Sequence, residues 1–167
     1  GLAAVGAGPD PGAALEPHMI TAGGLRLAIL AINAVPDPDG EPVDGWVPAR
    51  WDQARAVAAV AAARARADAV IVLVHWGYEY ELRADPAQRA AARALVEAGA
   101  HLVIGQHPHV VQGTEIYTPV PKGEQPEQDL ESEAPCCRRS PQCCDRSAAA
   151  AETSTGLIAY SLGNLVF

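Results

Sequence analysis

Three histidines sit in two short stretches whose makeup suits metal chemistry. One stretch is His75-Trp76-Gly77-Tyr78-Glu79 and the other is Gly105-Gln106-His107-Pro108-His109. Neutral imidazole is a common ligand for Zn, Mn, Fe and Ni, so three rings brought to one place could fix a divalent ion. An extended His-x-His would point its two rings to opposite faces. Pro108 favours a turn over a continuing strand, and a tight turn can aim both rings inward. Spacing alone leaves another option open, in which these are loop histidines satisfied by protein hydrogen bonds. A single-ion, three-histidine site is also open, and it needs all three nitrogens within about 2.1 Å of one ion. His18 and His101 fall in neither stretch.

The elements that must position these residues follow from hydrophobic patterning. Residues 1–24 are rich in Gly, Pro and Ala and read as a loop. Leu25 to Ala34 is a nearly continuous apolar run of strand length, the pattern of a strand covered on both faces. From Ala49 to Ala67 the chain is Ala/Arg-rich and helical in propensity, with Val57, Val60 and Ala61 inward and Arg55, Arg64 and Arg66 free for solvent. Ala69 to His75 is a second buried strand. Asp85-Pro86 supplies an N-cap and a first-turn proline, and Gly99 a stop, so 86–98 is a helix. His101 to Ile104 is a third strand, and Val110 to Tyr117 and Gly156 to Tyr160 are two more, read as a pair. The order strand, helix, strand, helix, strand implies a parallel sheet. Ligands in such sheets bind beyond the carboxyl ends of the strands, which is where both histidine stretches begin.

Composition narrows the class. With 167 residues, 49% of them hydrophobic but only 5% aromatic, the chain can bury a core of helices packed on a sheet. A net charge of −8 argues against a nucleic-acid partner. No apolar run approaches the roughly 18 residues of a membrane span. Both ends read as cut, Gly1 in a loop and Phe167 inside an apolar run. Residues 121–153 hold all four cysteines, Cys136, Cys137, Cys143 and Cys144, with seven acids and four basic residues and no periodicity. This span reads as a disordered surface insertion, and its adjacent cysteines match no zinc-ribbon spacing.

Three blocks in order, His75-Trp76-Gly77-x-Glu79, Gly105-x-His107-Pro108-His109-Val110 and Ser161-Leu162-Gly163-Asn164 with Phe167, resemble the signatures of the CapA family. These are the poly-γ-glutamate capsule synthesis (PGA_cap) proteins, relatives of the calcineurin-like metallophosphoesterases. Gln88-Arg89, the run from Ala98 to Gly105, and Gly6-Ala7-Gly8 fit the same pattern. The resemblance covers 1–120 and 156–167. Gln106 stands where the family often has His, and His101 where it commonly has Asp.

The resemblance implies an α/β fold, the C-terminal half of a calcineurin-like metallophosphoesterase α/β sandwich, with a parallel βαβαβ followed by a β-hairpin. Residues 1–167 would form a partial CapA-like domain whose N-terminal half, with its carboxylate and amide ligands, is missing. His75, His107 and His109 become the expected metal ligands, holding divalent ions (Mn, Zn or Fe), two in the intact domain. Glu79 and His107 become the catalytic pair, with Glu79 a proton carrier beside the metals. Trp76 and Asn164 become candidates for contact with substrate. The substrate would be an anionic polymer or a phosphoester, handled in a membrane-bound capsule synthesis complex outside the cytoplasm, with no role for nucleic acid. The alternatives are a non-catalytic polymer-binding or structural subunit, and an inactive fragment.

Overall fold

The computed structural model describes residues 3–36, 44–120 and 155–164. The insertion expected over 121–153 therefore lies outside the described residues. The chain is a mixed α/β fold built on one large sheet. Its strands in chain order are β1 (Ala7–Gly8), β2 (His18–Ala22), β3 (Leu25–Asn33), β4 (Val47–Pro48), β5 (Ala69–His75), β6 (Leu102–Gln106), β7 (Thr114–Tyr117) and β8 (Gly156–Ala159). Two α-helices, α1 (Gln53–Arg64) and α2 (Pro86–Glu97), join β3 to β5 and β5 to β6, and a 3-10 turn spans Ala13–Leu15.

The large sheet has the order β2-β3-β5-β6-β8-β7, and β1 pairs with β4 in a separate ribbon. Strands β3, β5, β6 and β8 are parallel, and β2 and β7 add antiparallel edges. The parallel βαβαβ and the closing antiparallel pair stand as the sequence implied. The helices form where capping chemistry starts them. Asp52 accepts from the N–H of Arg55 at 2.9 Å. Asp85 and Gln88 exchange two hydrogen bonds in a capping box ahead of Pro86.

Five expectations need correction. Residues 18–22 are not loop but an edge strand, joined to β3 by Gly23-Gly24 with φ of 59° and 82°. Two positive-φ residues in a two-residue turn match the strand twist of a hairpin, and glycine adopts them without strain. The first helix starts later than 49, because Asn33 pairs with the backbone of 49–51 instead, and it ends at Arg64. It buries Ala56, Val60 and Ala63, while Ala61 points outward. Strand β6 runs two residues past Ile104, and β7 begins at Thr114, not Val110.

The last correction concerns β3, expected to be covered on both faces. Strand order advances in one direction from β3 through β5 to β6, so right-handed crossovers put both helices on one side. That side holds the core, including Ala28, Leu30, Ile32, Val70, Val72, Val74, Val103 and Ile158, each at most 3% exposed. On the other side Ile29, Ile71, Leu102, Leu157 and Ile116 fall in one transverse row by strand register. Leu157 is 44% exposed there and Ile116 77%.

Candidate metal centre

The carboxyl edge of the sheet carries Asn33, His75 and Gln106 side by side in register. His75 is the last residue of β5. Just past β6 the chain turns sharply through His107, Pro108 and His109. His107 has φ of 102° and His109 φ of 60°, with Pro108 buried between them. Side chains other than glycine rarely adopt such angles, though histidine does so more readily than most. The turn does what the spacing alone left open, since it brings both rings to one side. The His75 and His107 rings lie 4.6 Å apart and the His107 and His109 rings 5.9 Å.

The loop after β5 is fastened to this turn. Trp76 is 2% exposed, and its indole N–H donates to the carbonyl of Tyr160 at 2.8 Å. Gly77 turns the chain with φ of 80°, where a side chain would collide with Gln88. The N–H of Tyr80 donates to the carbonyl of Pro108 at 2.8 Å. Gln112 donates to the carbonyl of Glu81 at 2.9 Å and accepts from Gln88 at 3.2 Å, and both glutamines are buried. Glu79 is thus held opposite the histidine turn by contacts on both sides of it. Sequence reasoning missed Gln112 altogether and saw Gln88 only as part of the family pattern.

The donor atoms of Glu79, His107 and His109 all lie within 4.8 Å of one another. Glu79 Oε1 is 3.8 Å from His109 Nε2. Ligands at about 2.1 Å from one ion lie no more than about 4.2 Å apart, so small side-chain rotations would close the set. One carboxylate with two imidazoles is a donor set that suits Zn, Mn or Fe. Glu79 thus lies close enough to both rings to serve as a donor, besides the carrier role the resemblance implies. His75 lies outside this trio but in ring contact with His107. Partial burial, then the charges of His107 and His109, lower its pKa from the usual histidine value.

The other expected site residues fall as follows. Asn164, after Gly163 with φ of 73°, places Oδ1 2.7 Å from Nδ1 of His109. Its amide meets a histidine and stays exposed at the rim. Trp76 sits mostly in the core, and its remaining surface lines a cleft of about 290 Å³ with Trp51, Gly77, Tyr78 and Gln88. His101 accepts from the N–H of Val70 at 3.1 Å and serves the fold. Gly105 permits close backbone approach, since a Cβ there would run into the Tyr160 carbonyl and the Trp76 indole nitrogen.

A family model described as "Bacterial capsule synthesis protein PGA_cap" matches residues 1–167. The capsule biosynthesis protein CapA of Bacillus anthracis is 49% identical over 43 residues, 26% of this chain and 10% of that protein. The PGA biosynthesis protein CapA of Bacillus subtilis (strain 168) is 46% identical over 43 residues, 26% of this chain and 11% of that protein. The matched stretch thus spans about a tenth of either relative.

Proposed function

We propose, from the premise that the chain belongs to the bacterial capsule synthesis protein PGA_cap family, that its rim histidines and Glu79 form part of a metal-dependent hydrolase site. The site would act in synthesis, release or export of an anionic capsule polymer, on a phosphoester or an amide of that polymer. The observation that carries this reading is the convergence of Glu79, His107 and His109 at the carboxyl edge of the sheet. The His75 ring, 4.6 Å from that of His107, supports a second ion position beside the first.

A divalent cation bound there supplies Lewis-acid polarisation of a phosphoryl or acyl oxygen and lowers the pKa of bound water towards about 7. The chain's own groups do the rest. His107 and His109 present nitrogens from a turn held on both sides, so little rearrangement accompanies binding. Glu79 contributes the negative charge, and its carboxylate is exposed enough to take a proton from solvent-side water. His75, in ring contact with His107, offers a further imidazole nitrogen to a proton or a metal. Trp51, Trp76 and Tyr78 shape the neighbouring cleft in which a substrate chain could lie. A second reading, a polymer-binding subunit without turnover, would have the histidines spent on protein hydrogen bonds. His109 spends only Nδ1 in this way.

The test is metal content by mass spectrometry after equilibration with Mn, Zn or Fe and removal of excess. The chain is expected to retain about one ion or more. A variant combining Glu79→Gln, His107→Ala and His109→Ala is expected to retain none while keeping its circular dichroism spectrum. Equal metal in the two, or none in either, would overturn the hydrolase reading and favour the binding subunit. Retention would justify assays on phosphoesters and γ-glutamyl amides.

A further inference from the structure

His109 faces two oxygen atoms with its two nitrogens, and the distances differ enough to decide where its proton sits. Nδ1 lies 2.7 Å from Oδ1 of Asn164, within hydrogen-bond range. Nε2 lies 3.8 Å from Oε1 of Glu79, beyond it. A neutral imidazole carries one N–H and one lone pair, and the amide oxygen of Asn164 can only accept. The short contact therefore requires the proton on Nδ1, which leaves the lone pair on Nε2 facing Glu79 and His107.

We propose that Asn164 is a positioning residue that fixes the Nδ1–H form of His109, so that Nε2 is presented as a ready metal ligand. The metal-affinity part rests on the functional reading above, whereas the proton's position does not. The strand-to-turn geometry supports it. Gly163 takes φ of 73° just before Asn164, and Ser161 accepts from the N–H of Gly163 at 3.2 Å, which bends the chain after β8. Val111 pairs with Leu162, and Gln112 donates its N–H to the carbonyl of Ser161 at 3.1 Å. The segments carrying His109 and Asn164 are thus tied to each other by antiparallel contacts two and three residues from the His109–Asn164 pair. Free imidazole prefers its proton on the far nitrogen, so a partner is needed to hold the other form. Groups of this kind, accepting from the second ring N–H, orient ligand histidines and typically change metal affinity about 10- to 100-fold when removed.

The experiment uses nitrogen-15 labelled full chain, metal-free, at a pH where imidazole is neutral. Long-range proton–nitrogen correlations report which ring nitrogen is protonated, and the His109 signals are identified by their loss in His109→Gln. Wild type is expected to show the Nδ1–H pattern. Asn164→Ala is expected to lose it and to bind Zn about 10- to 100-fold more weakly in a competition titration. Asn164→Asp keeps an acceptor at the same place and is expected to restore both. An Nε2–H pattern in wild type, or an unchanged pattern in Asn164→Ala, overturns the proposal. If wild type shows Nδ1–H but takes up no Zn, the positioning role stands and the metal-site reading fails instead.

Discussion

His101 shows how a histidine outside the site still shapes the protein's response to acid. Its Nδ1 accepts from the N–H of Val70, which requires a neutral ring. Burial, then the charge of Arg64, hold its pKa below 6.5. As pH falls, the unfolded chain takes up this proton first. The stability this residue supplies is therefore complete above 6.5 and is lost as pH falls below that value through the lower folded-state pKa. The urea midpoint is expected to drop between about pH 7 and pH 5, and to drop less in His101→Gln. An equal drop in both would assign the effect elsewhere, and His75 is depressed in the same direction. At this scale the sequence was readable where chemistry and a turn signal coincide, as at His107-Pro108-His109. It was silent on Gln112, because the worth of a buried amide depends on partners from two other segments.

The elements are held to one another through few but demanding contacts, and Gly105 is the clearest. It lies in β6 where Trp76 reaches across to the Tyr160 carbonyl. Gly105→Ala would drive a methyl group into that hydrogen bond, and it is expected to cost about 3 kcal/mol or more in chemical denaturation. A loss below about 1 kcal/mol would show that β6 and β8 can separate cheaply. Strands β3, β5 and β6 and helix α2 were legible because run length and capping residues mark them. The inward face of α1 was legible only at Val60, since alanines, seven of its twelve residues, lie on every side of it. Strand β2 had its signal in Gly23-Gly24, but the surrounding Gly and Ala content drowned it.

Among the described residues, the large sheet has one face packed by helices and one face partly exposed. The row Ile29, Ile71, Leu102, Leu157 and Ile116 crosses the sheet opposite the helices, ending at well-exposed residues. A continuous apolar run reads alike whether one face of a strand is covered or two, so the sequence did not reveal this. An exposed aliphatic stripe favours self-association over solubility. The double variant Ile116→Lys, Leu157→Thr is expected to raise the monodisperse fraction in light scattering and to change stability by less than about 1 kcal/mol. A large loss of stability would mean that the row is covered.

The turn at His107 and His109 sets two demands against each other. Left-handed backbone angles cost an ordinary residue about 1 kcal/mol or more, and glycine much less. A search for hardier variants of this protein will therefore be drawn to glycine at both positions, where each gain in robustness removes a nitrogen from the rim. Here endurance and reactivity compete for the same two residues.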